Sequence, residues 1–312
     1  MILKLEPQTL ANEFSQLGIH PASEAIFLHK SEIVPLKILD IRTPAANIIK
    51  QEMLACGGDC AIPAGCVVCA EERVDVILLG TYKHYARLLE KLTQMPYFGM
   101  AGIKSELMAI LDAPIPQTIL SDGRTLNYDK MLVMGILNIT PDSFYAGSRV
   151  PQLEQVVEKA GEMLRQGAAV LDIGGESTRP GSDAVTADEE QKRIVPVIKA
   201  LKERYPACVI SIDTYRASTA EAALAAGADI INDVTAMEGD AAMSDLVVGS
   251  KVPIILMHMR GTPKNMQQNC EYKNVVTEVA AYLLQRAKIL ENRGVAKEKI
   301  IFDPGIGFAK NT

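Results

Sequence analysis

From Met131 onward, short apolar runs alternate with longer amphipathic stretches, at a repeat of about 20–40 residues. The runs Leu132–Leu137, Ala169–Ile173, Cys208–Ile212, Asp229–Ile231, Pro253–Met257 and Ile300–Phe302 have the length and continuous apolar character of strands buried on both faces. Between and after them, helical periodicity covers Leu153–Arg165, Asp188–Glu203, Ala217–Ala226, Asp240–Val248 and Val275–Arg293. Glycines at Gly167, Gly227, Gly249 and Gly294 stand where helix C-caps are expected. Serial βα units of this kind wrap into a parallel barrel, so the predicted class is α/β.

Residues 1–112 carry a different pattern. Strand-like runs at Val34–Ile41 and Val74–Leu79 mix with helical stretches at Ala45–Leu54, Lys83–Leu92 and Ile103–Leu111, which predicts a small α/β domain of unassigned role. Ala113-Pro-Ile-Pro116 then interrupts both periodicities, because proline disfavours helix at itself and at its predecessor. The expected domains are therefore 1–112 and 113–312. Between boundary and barrel, Gln117–Leu120 and Thr125–Asp129 flank Ser121-Asp-Gly-Arg124, an arrangement that predicts a hairpin plugging the barrel's lower mouth.

Composition narrows the function classes. With 38 acidic against 32 basic residues and a net charge of −6, the chain has no basic block to hold a nucleic acid, and a small-molecule partner is expected. The N-terminus turns polar too early for a signal peptide, and no apolar run reaches membrane-spanning length, so the expected location is cytoplasmic. Only four histidines occur, and only His258 lies in the C-terminal part, which excludes a multi-histidine catalytic zinc site there. Cys56, Cys60, Cys66 and Cys69 are open to two readings, a metal site or ordinary reduced thiols, and their spacing favours the thiols.

Polar residues recur where the strands stop: Asn138, Asp172 before Gly174-Gly175, Asp213, Asn232 with Asp233, His258 and Asp303. Barrel enzymes build their sites at the C-terminal ends of strands, whereas helix capping accounts for any one such residue alone. Six in register point to a site.

These strand ends carry motifs. Met134-Gly-Ile-Leu-Asn-Ile-Thr-Pro-Asp-Ser-Phe144, Gly174-Gly-Glu-Ser-Thr-Arg-Pro-Gly181, Ser211-Ile-Asp-Thr214, Ile231-Asn-Asp-Val234, Met257-His-Met-Arg-Gly-Thr-Pro263 and Phe302-Asp-Pro-Gly-Ile-Gly-Phe308 resemble, in order, the strand ends of the dihydropteroate synthase family. The resemblance implies a pterin-binding (β/α)8 TIM barrel, truncated here after strand 6. It also implies a transferase of folate biosynthesis that condenses 6-hydroxymethyl-7,8-dihydropterin diphosphate with 4-aminobenzoate. Sulfonamides are the implied inhibitors, and a homodimer is compatible with it.

Dihydropterin presents a guanidine-like edge of N–H donors, for which carboxylates are the best buried acceptors. The resemblance places Asp213, Asn232 and Asp303 at that edge and a Mg2+ ion at Asn138. It puts Thr178 at the diphosphate, Met257 at the pocket wall, and Arg179, Pro180, Pro141 and Phe144 around the aminobenzoate. For Asp142 a loop-organising or magnesium-water role is inferred. Bland readings stand beside these: Asp213 as a helix N-cap, Asn138 as a turn-former, Met257 as core and Arg179 as a surface charge.

The sequence stops at Thr312, within the loop after the sixth strand. The resemblance implies two more βα units, bearing a lysine and an arginine–histidine pair, so weak or no turnover is expected of residues 1–312. A methyltetrahydrofolate methyltransferase domain and a non-catalytic pterin-binding protein are the alternative readings.

Overall fold

The computed structural model describes residues 10–112, 116–139, 149–176, 185–261, 266 and 269–311. The chain forms two compact units, Met1–Pro114 and Ile115–Thr312.

In the first unit, helices α1 (Leu10–Leu17) and α2 (Pro21–Ser31) precede strand β1 (Val34–Arg42), helix α3 (Thr43–Cys56), strands β2 (Asp59–Ala61) and β3 (Arg73–Gly80), and helices α4 (Tyr82–Leu92) and α5 (Met100–Leu111). The strands form an antiparallel sheet in the order β1-β3-β2. Alternation along β3 buries Val74, Val76 and Leu78, which join Ile49, Met53, Tyr85 and Leu88 in one core. Cys56, Cys60 and Cys66 belong to that core, Cys69 is exposed, and all four are free thiols. Burial pushes the Cys60 thiol up to about 11, so this group stays protonated and a weak nucleophile at neutral pH.

The second unit opens with a hairpin of β4 (Gln117–Ile119) and β5 (Thr125–Asn127). Then follow β6 (Val133–Asn138), α6 (Arg149–Arg165), β7 (Ala168–Gly174), α7 (Ala187–Arg204), β8 (Val209–Asp213), α8 (Ala217–Ala226), β9 (Ile230–Asp233), α9 (Met243–Ser250), β10 (Ile254–Met257), α10 (Val275–Glu291) and β11 (Ile300–Asp303). The six strands β6 to β11 are parallel and paired in sequence order, with β6 and β11 as the two edges. Five consecutive βα units and a sixth strand thus form a stretch of barrel wall. Its outer face packs Leu171, Ile173, Ile210, Ile212, Ile231 and Leu256 against Ile194, Leu201, Leu283 and other helix residues.

The opposite face carries the functional argument. Its lower layer is Val170, Val209, Ile230 and Ile255, sealed by Leu120 and Leu126 of the hairpin. Arg124 secures the hairpin by donating to the Ala207 carbonyl and pairing with Asp229 at 2.6 Å, and Asp229 also pairs with Lys202. The lower mouth is therefore plugged by the hairpin, as its sequence position suggests. One expected cap is corrected: Gly249 lies inside α9, and Lys251, in the left-handed region at φ 57°, ends the helix.

Candidate active site at the strand ends

Strand pleating turns every second side chain to the same face. The face that begins with Val170, Val209, Ile230, Ile255 and Ile301 therefore continues upward as Asp172, Ser211 with Asp213, Asn232, Met257 and Asp303. An apolar floor thus carries a polar layer rich in acceptors. Asp172, Ser211 and Asn232 are buried, and Asp172 Oδ1, Ser211 Oγ and Asn232 Oδ1 have no partner among the described residues. Unpaired buried acceptors are costly and uncommon, so three together mark a place shaped for something other than the chain itself.

Parallel pairing puts Asn138 beside Gly174 and Gly174 beside Asp213. A Cβ added at Gly174 would stand 3.2 Å from Asn138 Oδ1 and 3.4 Å from Asp213 Oδ2. Two oxygens from different strands thus converge on the space that only a glycine leaves open. Deeper in, Asn232 Nδ2 donates to Asp172 Oδ2 at 3.1 Å. At the edge strand, Asp303 Oδ1 accepts from the Gly305 amide at 2.7 Å, shaping the following turn.

The electrostatics are one-sided. Among the described residues, none of Asp172, Asp213 and Asp303 has a Lys, Arg or His partner within ion-pair distance. Burial raises the Asp213 carboxyl well above its ordinary range, reinforced by the charges of Asp172, Glu190, Asp233 and Glu176. Burial likewise raises Asp172, and the charge of Asp303 adds to it. The layer is short of positive charge and N–H donors, which is what a cationic or donor-rich ligand supplies.

A hard cation could be held at the top of this layer by the Asn138 amide carbonyl. No group of three or more His, Cys, Asp or Glu side chains suited to a metal occurs among the described residues. The donor set fits an ion that keeps most of its own water, as magnesium does.

Of the residues expected from sequence, Asn138, Asp213, Asn232, Met257 and Asp303 lie at or just below adjacent strand ends, with Met257 buried. Pro141, Asp142, Phe144, Thr178, Arg179 and Pro180 lie outside the described residues. The N-cap reading of Asp213 is corrected, since the first free amide of α8, that of Ala217, is met by Asp240 Oδ2 at 2.8 Å. Two of the polar strand ends turn away from the site. Asp233 accepts from the amides of Thr235 and Met237 and from the Thr235 hydroxyl, making it a turn anchor. The His258 ring packs edge-on against Tyr282 and meets Lys310 Nζ at 3.0 Å. Pleating explains both, because each follows an inward residue by one position.

Sequence reasoning counted Asp172 among the polar strand ends without giving it a site role, and quoted Ser211 only as part of a motif. The legible signal was a charged residue inside the apolar run Ala-Val-Leu-Asp-Ile-Gly, where a parallel strand has no solvent-facing side. Also missed was Arg216, whose guanidinium pairs with Glu176 at 2.5 Å and with the buried Glu190 at 2.8 Å. The same group donates to the Val185 carbonyl.

Three comparisons bear on this arrangement. Residues 134–312 match the family model described as pterin binding enzyme. A probable bifunctional folylpolyglutamate synthase/dihydropteroate synthase of Haloferax volcanii is 37% identical over 278 residues, which is 85% of this chain and 32% of that protein. The chain thus spans about a third of that relative's length. A bifunctional dihydropteroate synthase/dihydropteroate reductase of Helicobacter pylori is 32% identical over 312 residues, covering 99% of this chain and 78% of its own. Among solved structures, the Xanthomonas albilineans dihydropteroate synthase with 4-aminobenzoic acid superposes with a TM-score of 0.56 at 40% identity, over 64% of this chain and 69% of that one.

Proposed function

This chain belongs to the pterin-binding enzyme family, and on that premise we propose that it provides the pterin side of a dihydropteroate synthase. The observation that carries the reading is the acceptor layer of Asp172, Asp213, Asn232 and Asp303, in which Asp172 and Asn232 are buried and no carboxylate has a Lys, Arg or His within ion-pair distance among the described residues. A dihydropterin answers it with its amino group and ring N–H donors. Asp213 and Asp303 accept from that edge, Asn232 supplies an amide with both a donor and an acceptor, and Met257 closes the wall.

The reaction joins the amine of 4-aminobenzoate to the pterin's methylene carbon. The C–N bond forms as the C–O bond to the diphosphate breaks, the departing pyrophosphate takes the electron pair, and the amine gives up a proton. Transition-state charge therefore grows in two places, positive on the pterin system and negative on the leaving group. The carboxylates of Asp213 and Asp303 stabilise the positive part. A magnesium ion held by Asn138, when bound, supplies positive charge for the leaving group. Thr178 is assigned to the diphosphate, and Arg179, Pro180, Pro141 and Phe144 to the aminobenzoate end, where sulfonamides would compete. Asp172 and the apolar floor keep the ring out of water, which protects the electrophilic carbon from hydrolysis.

The relatives named above favour the synthase over a methyltetrahydrofolate methyltransferase, and the two are separable by assay. The 312-residue chain is incubated with 6-hydroxymethyl-7,8-dihydropterin diphosphate, 4-aminobenzoate and magnesium, and both pterin uptake and dihydropteroate formation are followed. Pterin uptake with measurable, sulfonamide-sensitive condensation supports the proposal. A chain that takes up no pterin refutes it, and uptake without condensation reduces the role to binding.

A further inference from the structure

The hydrogen bond between Asp172 and Asn232 has a use that neither residue has alone. Asp172 sits at mid-depth in β7 and is 4% exposed, and its Oδ2 accepts from Asn232 Nδ2 across the barrel interior at 3.1 Å. These two strands are not neighbours, because β8 lies between them. The contact is therefore a strut across the concave face, not a link along the sheet. An asparagine amide is nearly symmetric in shape and can rotate to present either end. A carboxyl oxygen facing it settles the choice, since the end nearest an acceptor must be the NH2 group.

We propose that Asp172 is a positioning residue for ligand binding: it holds the Asn232 amide in one orientation, leaving the carbonyl as the free end that meets N–H donors of the bound ring. This inference rests on the pterin reading above. Three features support it together. Asn232 Oδ1 is buried and has no partner among the described residues, so the amide carbonyl is left for another donor. Ser211, next to Asp172 across β7 and β8, is fully buried, and its Oγ meets no hydrogen-bond partner at bonding distance among the described residues. Burial raises Asp172, yet its Oδ2 can accept from the amide whether or not Oδ1 carries the proton. The strut thus survives a change of protonation state.

The test is a double-mutant cycle read by binding of 6-hydroxymethylpterin, with the thermal midpoint recorded for every variant. Asp172→Leu keeps the branched shape but removes the acceptor, and it should weaken binding about tenfold or more. Asp172→Asn keeps a carbonyl acceptor and should stay within about threefold of the parent. In an Asn232→Ala background, Asp172→Leu should change affinity by less than about twofold, because nothing is left to position. A structural role alone predicts the same loss in both backgrounds and no rescue by Asp172→Asn, and that result overturns the proposal. So does unchanged binding by Asp172→Leu. A second measurement requires no variant to fold: the Asn232 side-chain amide protons of the parent chain should exchange slowly with solvent, and fast exchange overturns the strut. A parent chain that takes up no 6-hydroxymethylpterin removes the pterin reading and this inference with it, whereas normal uptake with failed coupling removes only the inference.

Discussion

Asn138 and Asp213, on strands separated by β7, direct oxygens to the same space above Gly174, at 3.2 and 3.4 Å from where a Cβ would stand. The glycine between them keeps the gap open. The arrangement makes Gly174 a part of the candidate site without its contributing a functional group.

Gly174→Ala should therefore separate ligand binding from stability. Gly174 does not occupy the left-handed region, so the new methyl group meets no backbone penalty. It does fill the space toward which both oxygens point. Affinity for a dihydropterin diphosphate in the presence of magnesium should fall about tenfold or more, while the thermal midpoint moves by no more than a few degrees. Calorimetric titration alongside thermal melting decides it; equal affinity would show that the gap is not used.

A second expectation concerns pH. Burial and the neighbouring carboxylates raise Asp213 in the folded chain, while in the unfolded chain it titrates near the ordinary value of about 4. Between those two pKa values the folded state binds more protons than the unfolded state, so stability is fullest below the ordinary value and falls as pH rises through the raised one. Asp213→Asn should raise the thermal midpoint at neutral pH and flatten its decline with pH, while abolishing tight pterin binding. Melting curves from pH 5 to pH 8 test the sign; a mutant that melts lower than the parent at neutral pH contradicts it.

Gly305→Ala tests how the last strand's loop is built. Gly305 has φ +64°, and a Cβ there would lie 2.2 Å from the His258 carbonyl oxygen. Backbone cannot retreat as a side-chain tip can, so the loop must shift. Loss of about 2–4 kcal/mol in urea unfolding of the second unit is expected, from strain at the left-handed position plus the clash. A loss under about 0.5 kcal/mol would mean that the loop accommodates the methyl freely.

Arg216 neutralises two carboxylates at once, and Glu190, 1% exposed, depends on it most. Arg216→Met strands that charge in the interior beside Thr219, which donates to it at 3.0 Å. Removing one partner of a buried pair typically costs about 3–5 kcal/mol, whereas replacing both is far milder. Arg216→Met should destabilise strongly and Arg216→Met with Glu190→Gln should recover much of the loss. Chemical denaturation of the single and double variants is the measurement, and an uncompensated double variant would refute the pairing.

Much of this protein was readable before any coordinate. The βα alternation required only that apolar runs of strand length alternate with helical periodicity, and pairing each strand with the next is the arrangement short crossovers allow. Pro114 and Pro116 announced a break near the point where the compact units divide. Asn138, Asp213, Asn232 and Asp303 were visible because each stands at or near the end of an apolar run, where chain chemistry changes within one or two residues. Local sequence determined these features because strand pleat and helix period are local properties of the backbone.

What only the tertiary structure decided is which polar residues face one another. Asp233 and His258 look equivalent to their neighbours along the chain, yet one anchors a turn and the other packs on Tyr282. Asp172 and Asn232 are 60 residues apart in sequence and meet only because curvature of the sheet brings alternate strands face to face across its concave side. Gly174 gains its meaning the same way, from oxygens contributed by two other strands. Side-chain partnership across a curved sheet depends on register and curvature together, and neither is written in any single stretch of sequence.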